Sequence, residues 1–180
     1  LGEGAAIVIL EEWERALARG APIHAELIGY GLTTDSEHLT RPSVAGQARA
    51  MALALAAAGV PHGSIDYLNA HGTGTVMNDP VETLAIKQVF GEHARRIPIS
   101  STKSMHGHML GAAGAIEFVA SVMALNRQVV PPTMHLAIPD TECDLDYVPN
   151  QARDHSVKIV MSNSFAFGGT NAVLIARKPE

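Results

Sequence analysis

Residues 100–114 read SSTKSMHGHMLGAAG, and the reading of the whole chain turns on this stretch. It follows a β-favouring run at 97–99 and leads into an apolar helical pattern over residues 109–126. A strand end that turns into a helix start faces a crevice rather than the core, the usual setting for chemistry in α/β folds. Into that corner the sequence puts one ammonium, Lys103, and two imidazoles, His106 and His108. Gly111, Ala112, Ala113 and Gly114 are small enough for the first turns of the helix to approach another backbone closely. Further along, Glu117 is the only charged residue between Met109 and Leu125. Such a carboxylate either faces solvent or is buried against a cation, because burial without one is costly. The pattern predicts the second case, a buried Lys103–Glu117 pair beneath a histidine.

Working outward, 180 residues suffice for one domain with a real core. A composition of 47% hydrophobic and only 4% aromatic residues suits an Ala/Val/Ile/Leu-rich α/β interior rather than disorder or a β-sandwich. The net charge of −5 is spread along the chain, which argues against nucleic acid as a partner. No apolar run reaches the ~20 residues of a membrane span, and no signal peptide opens the chain. The single cysteine excludes an internal disulfide framework and fits a reducing compartment, so a soluble cytoplasmic protein is expected. The chain opens without Met on an apolar, strand-like run at 5–10, which suggests that it begins inside a larger protein.

In chain order, residues 5–10 predict a strand and 11–18 a short helix closed by Gly20. Residues 23–30 predict a second strand, with Ile23, Ala25 and Leu27 on one face and His24 and Glu26 on the other. Residues 33–42 are polar and turn-rich, suited to a linker. Ser43 caps a helix that runs to about Ala58 and ends at Gly59. A short strand at 65–69 runs directly into His71-Gly72-Thr73-Gly74-Thr75. Asp79-Pro80-Val81-Glu82 has the form of a capping box, starting a helix to about Phe90. An irregular acidic segment occupies 139–147, and 157–161 and 172–176 form a closing strand pair around the loop 163–171. This alternation predicts an α/β layered sheet with an antiparallel edge.

Three loops leave strand ends with unusual chemistry: 71–75, 103–108 and 165–171. Two neutral imidazoles side by side can stabilise an enolate oxygen through their ring N–H groups, and a nearby Lys⁺ favours the neutral form. Singly, each histidine is more often a structural or surface residue than a catalytic one, and His71 with His106 and His108 could instead bind a metal. Thr73 and Thr75 offer hydroxyls to an extended ligand, or belong to a plain turn. Gly168-Gly169 suits either an oxyanion site of backbone N–H groups or a hairpin turn. Cys143, among Glu142, Asp144 and Asp146, sits in a field that suppresses thiolate, so it is expected to pack rather than react.

Together, His71-Gly-Thr-Gly-Thr, Asn78-Asp79, Glu82, the 101–114 stretch, Cys143-Asp-Leu-Asp-Tyr-Val-Pro149 and Asn163-Ser-Phe-Ala-Phe-Gly-Gly-Thr-Asn171 resemble the C-terminal half of β-ketoacyl-acyl carrier protein synthases of the elongating, synthase II type. The resemblance implies a thiolase-like αβαβα half with a five-stranded mixed sheet. It makes residues 1–31 the last strands of an N-terminal half, 32–40 a linker, and 41–180 the C-terminal domain. It also implies a decarboxylative Claisen condensation of malonyl-acyl carrier protein with an acyl-enzyme thioester. His71 and His108 would hold the malonyl carbonyl and the enolate, with Lys103 as their electrostatic partner and Glu117, Asp79 and Glu82 as support. Thr73 and Thr75 would contact the phosphopantetheine arm, and Phe167 would be a gate whose N–H joins an oxyanion hole. No cofactor of the protein's own is implied, although some relatives hold a monovalent cation near the positions of Asn69, Ala70, Glu117, Ser162 and Asn163.

Two departures from the family pattern stand out. His106 replaces a common Thr and is read as non-catalytic. The family's nucleophilic cysteine and dimerisation strand lie in the first half, so these 180 residues alone are expected not to condense and to need that half or a partner chain. The expected partners are an acyl carrier protein and, for the whole enzyme, a second copy. A polyketide or nodulation-type ketosynthase and a non-catalytic thiolase-like partner subunit are the rival readings.

Overall fold

The computed structural model describes residues 1–36 and 38–179. Among the described residues the α-helices are α1 (Trp13–Ala18), α2 (Val44–Ala58), α3 (Asn78–Phe90), α4 (Lys103–His106) and α5 (Ala113–Arg127). The strands are β1 (Glu26–Thr34), β2 (Tyr67–Asn69), β3 (Ile99–Ser100), β4 (Val129–Val130), β5 (Arg153–Asp154), β6 (Ile159–Phe165) and β7 (Thr170–Arg177). Five of them form one mixed sheet in the order β1-β7-β6-β2-β3, while β4 and β5 pair separately. The β1-β7-β6 part is antiparallel and β6-β2-β3 is parallel.

The sheet is covered on both faces. One apolar cluster joins Met51, Ala54 and Leu55 of α2 and Ala85, Ile86 and Phe90 of α3 to Leu68, Met161 and Ile175 of the sheet. A second joins Phe118, Ala124 and Leu125 of α5 to Tyr67, Val160 and Ala176. Neighbouring residues of β6 therefore serve opposite cores, which is why that strand reads as a continuous buried run rather than an alternation.

The local signals for α2 hold: Ser43 Oγ accepts from the Gly46 N–H, and Gly59 takes the left-handed conformation that ends the helix. Three expectations fail for identifiable reasons. Residues 5–10 form no strand, because no other strand among the described residues lies beside them, and Ile7, Ile9 and Leu10 are exposed. The second strand starts at Glu26 rather than residue 23 and runs on to Thr34, through the boundary expected at 31 and into the expected linker, of which Glu37 lies outside the described residues. The face set by Ile23, Ala25 and Leu27 does not form: a register irregularity between Leu27 and Gly29 leaves Leu27, Tyr30 and Leu32 exposed and turns Gly29 and Gly31 inward. A hydropathy pattern looks for large apolar residues on the buried face, whereas here α2 lies directly on glycine. A Cβ at Gly31 would fall 1.9 Å from the Ala50 carbonyl oxygen, and one at Gly29 2.5 Å from that of Ala54.

The third failure is the capping box. No side chain caps α3 from the residue before it; Thr75 Oγ1 accepts the Asn78 N–H at 3.2 Å instead. Glu82 has been drawn away to the loop after β2, as described below.

The packing of α2 on β1 yields a direct expectation. Gly31→Val should cost about 1–3 kcal/mol through overpacking, lowering the urea-unfolding midpoint. An unchanged midpoint would contradict the backbone-to-backbone contact.

Candidate active site

Because β2, β3 and β6 run parallel, their C-terminal ends share one edge of the sheet, with Asn69 level with Ser100 on one side and Ser162 on the other. His71 follows β2 by two residues and Lys103 follows β3 by three, so topology alone brings the two loops together. Lys103 is buried, 7% exposed, and Glu117 on α5 is wholly buried. The Lys103 ammonium lies 2.5 Å from Glu117 Oε1, donates to the His71 carbonyl at 2.5 Å, and lies 3.2 Å from His71 Nδ1. An ammonium has three N–H donors and no acceptor, so all three are used and His71 Nδ1 must be the accepting nitrogen.

His108 is oriented differently. Its Nδ1 accepts the backbone N–H of Leu110 at 3.1 Å, and Leu110 itself sits at φ 52°, an unusual conformation for a γ-branched residue. The two rings meet edge to face with centroids 5.4 Å apart, and Phe165 closes on His71 at 5.9 Å. Burial, then the Lys103 charge, depresses the His71 pKa to about 3. The same two causes hold His108 below the usual imidazole value. Both rings are therefore neutral near pH 7, with Nδ1 occupied and the proton on Nε2.

The support beneath is a second buried carboxylate. Glu82 Oε1 accepts from the His71 N–H at 2.9 Å and from Asn163 Nδ2 at 3.1 Å. Its Oε2 accepts from the Gly72 N–H at 2.9 Å and from Asn78 Nδ2 at 3.2 Å. Burial raises this carboxyl's pKa, while the amide donors and Lys103 pull it back. A carboxylate out of water needs several donors, and the loop supplies two amides where a helix start would leave it exposed. Asp79 Oδ1 accepts the Gly74 N–H at 3.3 Å and so steadies the same loop.

A cleft of about 740 Å³ opens above these groups, lined among others by Lys103, His108, Thr73, Thr75, Cys143 and Ile138. The hydroxyls of Thr73 and Thr75 hydrogen-bond each other at 2.9 Å at its wall. Burial raises the Cys143 thiol pKa, and the carboxylates of Asp79, Asp140 and Glu142 add to it. Of the acids that the sequence placed around this thiol, Asp144 is neutralised by Lys87 and Arg95 and Asp146 pairs with Arg153. Among the described residues, no cluster of three or more His, Cys, Asp or Glu is placed to hold a metal ion.

Not every expected residue joins the cluster. Phe167 is 79% exposed, in a turn with Gly168 and Gly169 at positive φ, and it does not line the cleft. His106 also stays off the cleft wall: its Nδ1 faces the Gly107 carbonyl at 2.8 Å and its Nε2 faces Thr102 Oγ1 at 3.2 Å. Two contributors went unread in the sequence. Phe165 meets His71 edge to face, a role that depends on where β6 ends and that no local signal in the sequence marks. Ser101 Oγ donates to the Gly72 carbonyl at 2.6 Å, tying the two loops together, and nothing local marks it.

Comparison with known proteins identifies the family of the chain. The family model described as Beta-ketoacyl synthase, C-terminal domain, matches residues 24–137. Nodulation protein E of Rhizobium meliloti is 56% identical over 174 residues, covering 97% of this chain and 43% of that protein. The 3-oxoacyl-[acyl-carrier-protein] synthase 2 of Coxiella burnetii is 53% identical over 177 residues, again 97% of this chain and 43% of the relative. The structure of the ishigamide ketosynthase/chain length factor superposes with a TM-score of 0.96 at 47% identity, covering 99% of this chain and 44% of that one. The fold and its likeness to ketosynthase structures thus define a thiolase-like α/β domain. The chain belongs to the β-ketoacyl synthase family and corresponds to its C-terminal domain, spanning less than half the length of the curated relatives it matches.

The ion pair gives a test of the site's foundation. Lys103→Met or Glu117→Leu alone should destabilise by about 3–5 kcal/mol, because each leaves an uncompensated buried charge. The double variant should recover most of that loss in urea unfolding, so additive losses would mean that the pair is not coupled.

Proposed function

We propose that this domain supplies the malonyl-handling side of an elongating β-ketoacyl-acyl carrier protein synthase. In the reaction envisaged, the C–C bond of a malonyl thioester breaks and its electron pair passes into the thioester as CO2 leaves. The resulting enolate carbon then attacks the thioester carbonyl of an acyl chain held on a cysteine, and the cysteine thiolate departs. One observation carries the reading: Lys103 and the Leu110 amide occupy Nδ1 of His71 and His108, so each neutral ring keeps an Nε2–H to donate. Two such donors suit the oxygen on which the enolate charge develops. Lys103 fixes one ring and favours neutrality in both, while Glu82 and Asp79 hold the loop that carries His71.

The pKa of Cys143 opposes a nucleophilic role, so the acylated cysteine comes from outside residues 1–180, from the rest of the polypeptide or from a partner chain. Thr73 and Thr75, as hydroxyls at the cleft wall, suit the amides of a phosphopantetheine arm, and the substrates arrive on acyl carrier protein. Phe167, exposed on its glycine turn, is assigned the gate. A homodimer and a cytoplasmic setting complete the proposal. No helix among the described residues is long and apolar enough to cross a membrane.

The monovalent cation known in some relatives fits the residues present. Asn69 Oδ1, Asn163 Oδ1 and Glu117 Oε2 are buried oxygens without a hydrogen-bond partner, a donor set of the right hardness with one carboxylate charge. Ser162 and Ala70 adjoin them in sequence. Such an ion would supply fixed positive charge beside Glu117.

A polyketide or nodulation-type ketosynthase remains the second reading, favoured by the likeness to nodulation protein E. It uses the same site with a different acyl chain, and substrate profiling separates the two. A non-catalytic partner subunit would have no chemical use for His71, Lys103 and His108 together.

Malonyl-carrier decarboxylation by the full polypeptide is the test. His71→Ala and His108→Ala should each lower kcat by about 10²–10³-fold, the scale of one lost oxyanion donor. The neutral imidazole is the active form and the fold depresses both pKa values, with His71 at about 3, so activity should persist as pH falls through 6.5. An acid limb centred near 6.5, or undiminished decarboxylation in both variants, would remove the assignment.

A further inference from the structure

The His108 turn is held from outside the sheet domain. Residues 107–109 belong to no helix, and the turn carries two positive φ values, 77° at Gly107 and 52° at Leu110. Its backbone therefore lacks a ladder that would fix the His108 peptide. That peptide's carbonyl instead accepts a hydrogen bond from the Gly2 N–H at 3.0 Å.

The approach of the two backbones is close. A Cβ built on Gly2 would lie 2.3 Å from the His106 carbonyl oxygen and 3.3 Å from Gly107 Cα. One built on Gly107 would lie 3.0 Å from Gly2 Cα. Backbone faces backbone here, so no rotamer change can relieve a side chain at position 2. Two residues on, Gly4 also has a crowded Cβ direction, but its neighbour is Met109 Sδ at 2.5 Å, part of a flexible side chain that can swing away.

We propose that Gly2 is a positioning residue for His108: its amide clamps the His108 carbonyl, and its missing side chain lets the segment 1–4 lie against the 106–109 turn. The inference deepens the proposed function and rests on it, since His108 matters for its ring. The Leu110 amide sets the imidazole's tautomer and the Gly2 amide sets the peptide from which that imidazole projects. Residues 1–4 precede the first strand of the sheet by more than twenty positions, so the clamp couples a remote segment to one imidazole. A displacement on the order of 1 Å in such a group costs about a hundredfold in rate.

The experiment uses the full polypeptide carrying residues 1–180 and follows malonyl-carrier decarboxylation. Gly2→Ala should lower kcat by about tenfold to a hundredfold while KM changes by less than about twofold, because the arm-binding wall is untouched. Gly4→Ala, in the same segment but opposite a flexible neighbour, should stay within about twofold of the parent. Equal losses in both variants, or an unchanged kcat in Gly2→Ala, overturn the clamp. Hydrogen exchange of the unsubstituted protein gives a second readout, independent of turnover and of whether Gly2→Ala folds. A protected Gly2 amide supports the clamp, and one that exchanges at free-peptide rates overturns it. A parent protein without decarboxylation but with a protected Gly2 amide would leave the clamp standing and remove the condensing reading.

Discussion

The Lys103 ammonium organises this domain's functional edge. It is a buried cation whose three protons go to a carboxylate on α5, a backbone carbonyl and an imidazole nitrogen of the loop after β2. Each contact fixes an element that would otherwise be free to settle elsewhere. Glu117 ties the turn after β3 to the helix beneath the sheet, and the His71 carbonyl ties it to the neighbouring strand's loop. The His71 Nδ1 contact selects one tautomer. A cation left with any of these donors unused would be expensive at this depth, so the arrangement is close to all-or-none.

Charge also explains why the second carboxylate behaves as it does. Burial raises the pKa of both Glu117, to about 7, and Glu82, and Lys103 pulls each carboxyl back towards its charged form. Glu82 is tolerated because four N–H donors converge on it, two from the His71 loop and two from asparagine side chains. The result is a loop whose His71, Gly72 and Gly74 amides are taken up on the protein side, leaving Thr73 and Thr75 at the cleft wall. Folding and site-building are here the same set of hydrogen bonds.

Much of this was legible in the letters. Ser43 and Gly59 marked helix ends through chemistry that acts within a few residues, and they marked them correctly. The Lys103–Glu117 pair was legible because a lone acid on an apolar helix needs a cation once it is buried. What resisted reading was whatever depended on a distant backbone. Gly29 and Gly31 hid the inward face of β1, since a glycine carries no hydropathy and its meaning came from α2 lying on it. Glu82 looked like a cap because local spacing cannot reveal that a remote loop offers better donors. Residues 5–10 looked like a strand because propensity is blind to the absence of a partner. The family resemblance supplied the expectation that His71 and His108 act together, and geometry then supplied how each is held.

The two imidazoles are held by opposite strategies, and the difference follows from their burial. His71, nearly inaccessible, is fixed by a charged side chain in a low-dielectric setting, where electrostatics is strong and the pKa is driven far down. His108, half-buried at the cleft wall, sits where a salt contact would be screened by solvent. It is fixed by backbone instead: an amide on Nδ1 from a residue at positive φ, and a clamp on its carbonyl from the segment at Gly2. Backbone strain survives only where surrounding contacts over-determine it. The tight packing of Gly2 against Gly107 is such a contact, so the more exposed histidine owes its precision to the part of the chain farthest from it in sequence within this edge of the fold. An oxygen bearing developing charge would thus meet one donor held by a buried ion and one held by a strained turn, and neither needs to reorganise when that charge appears.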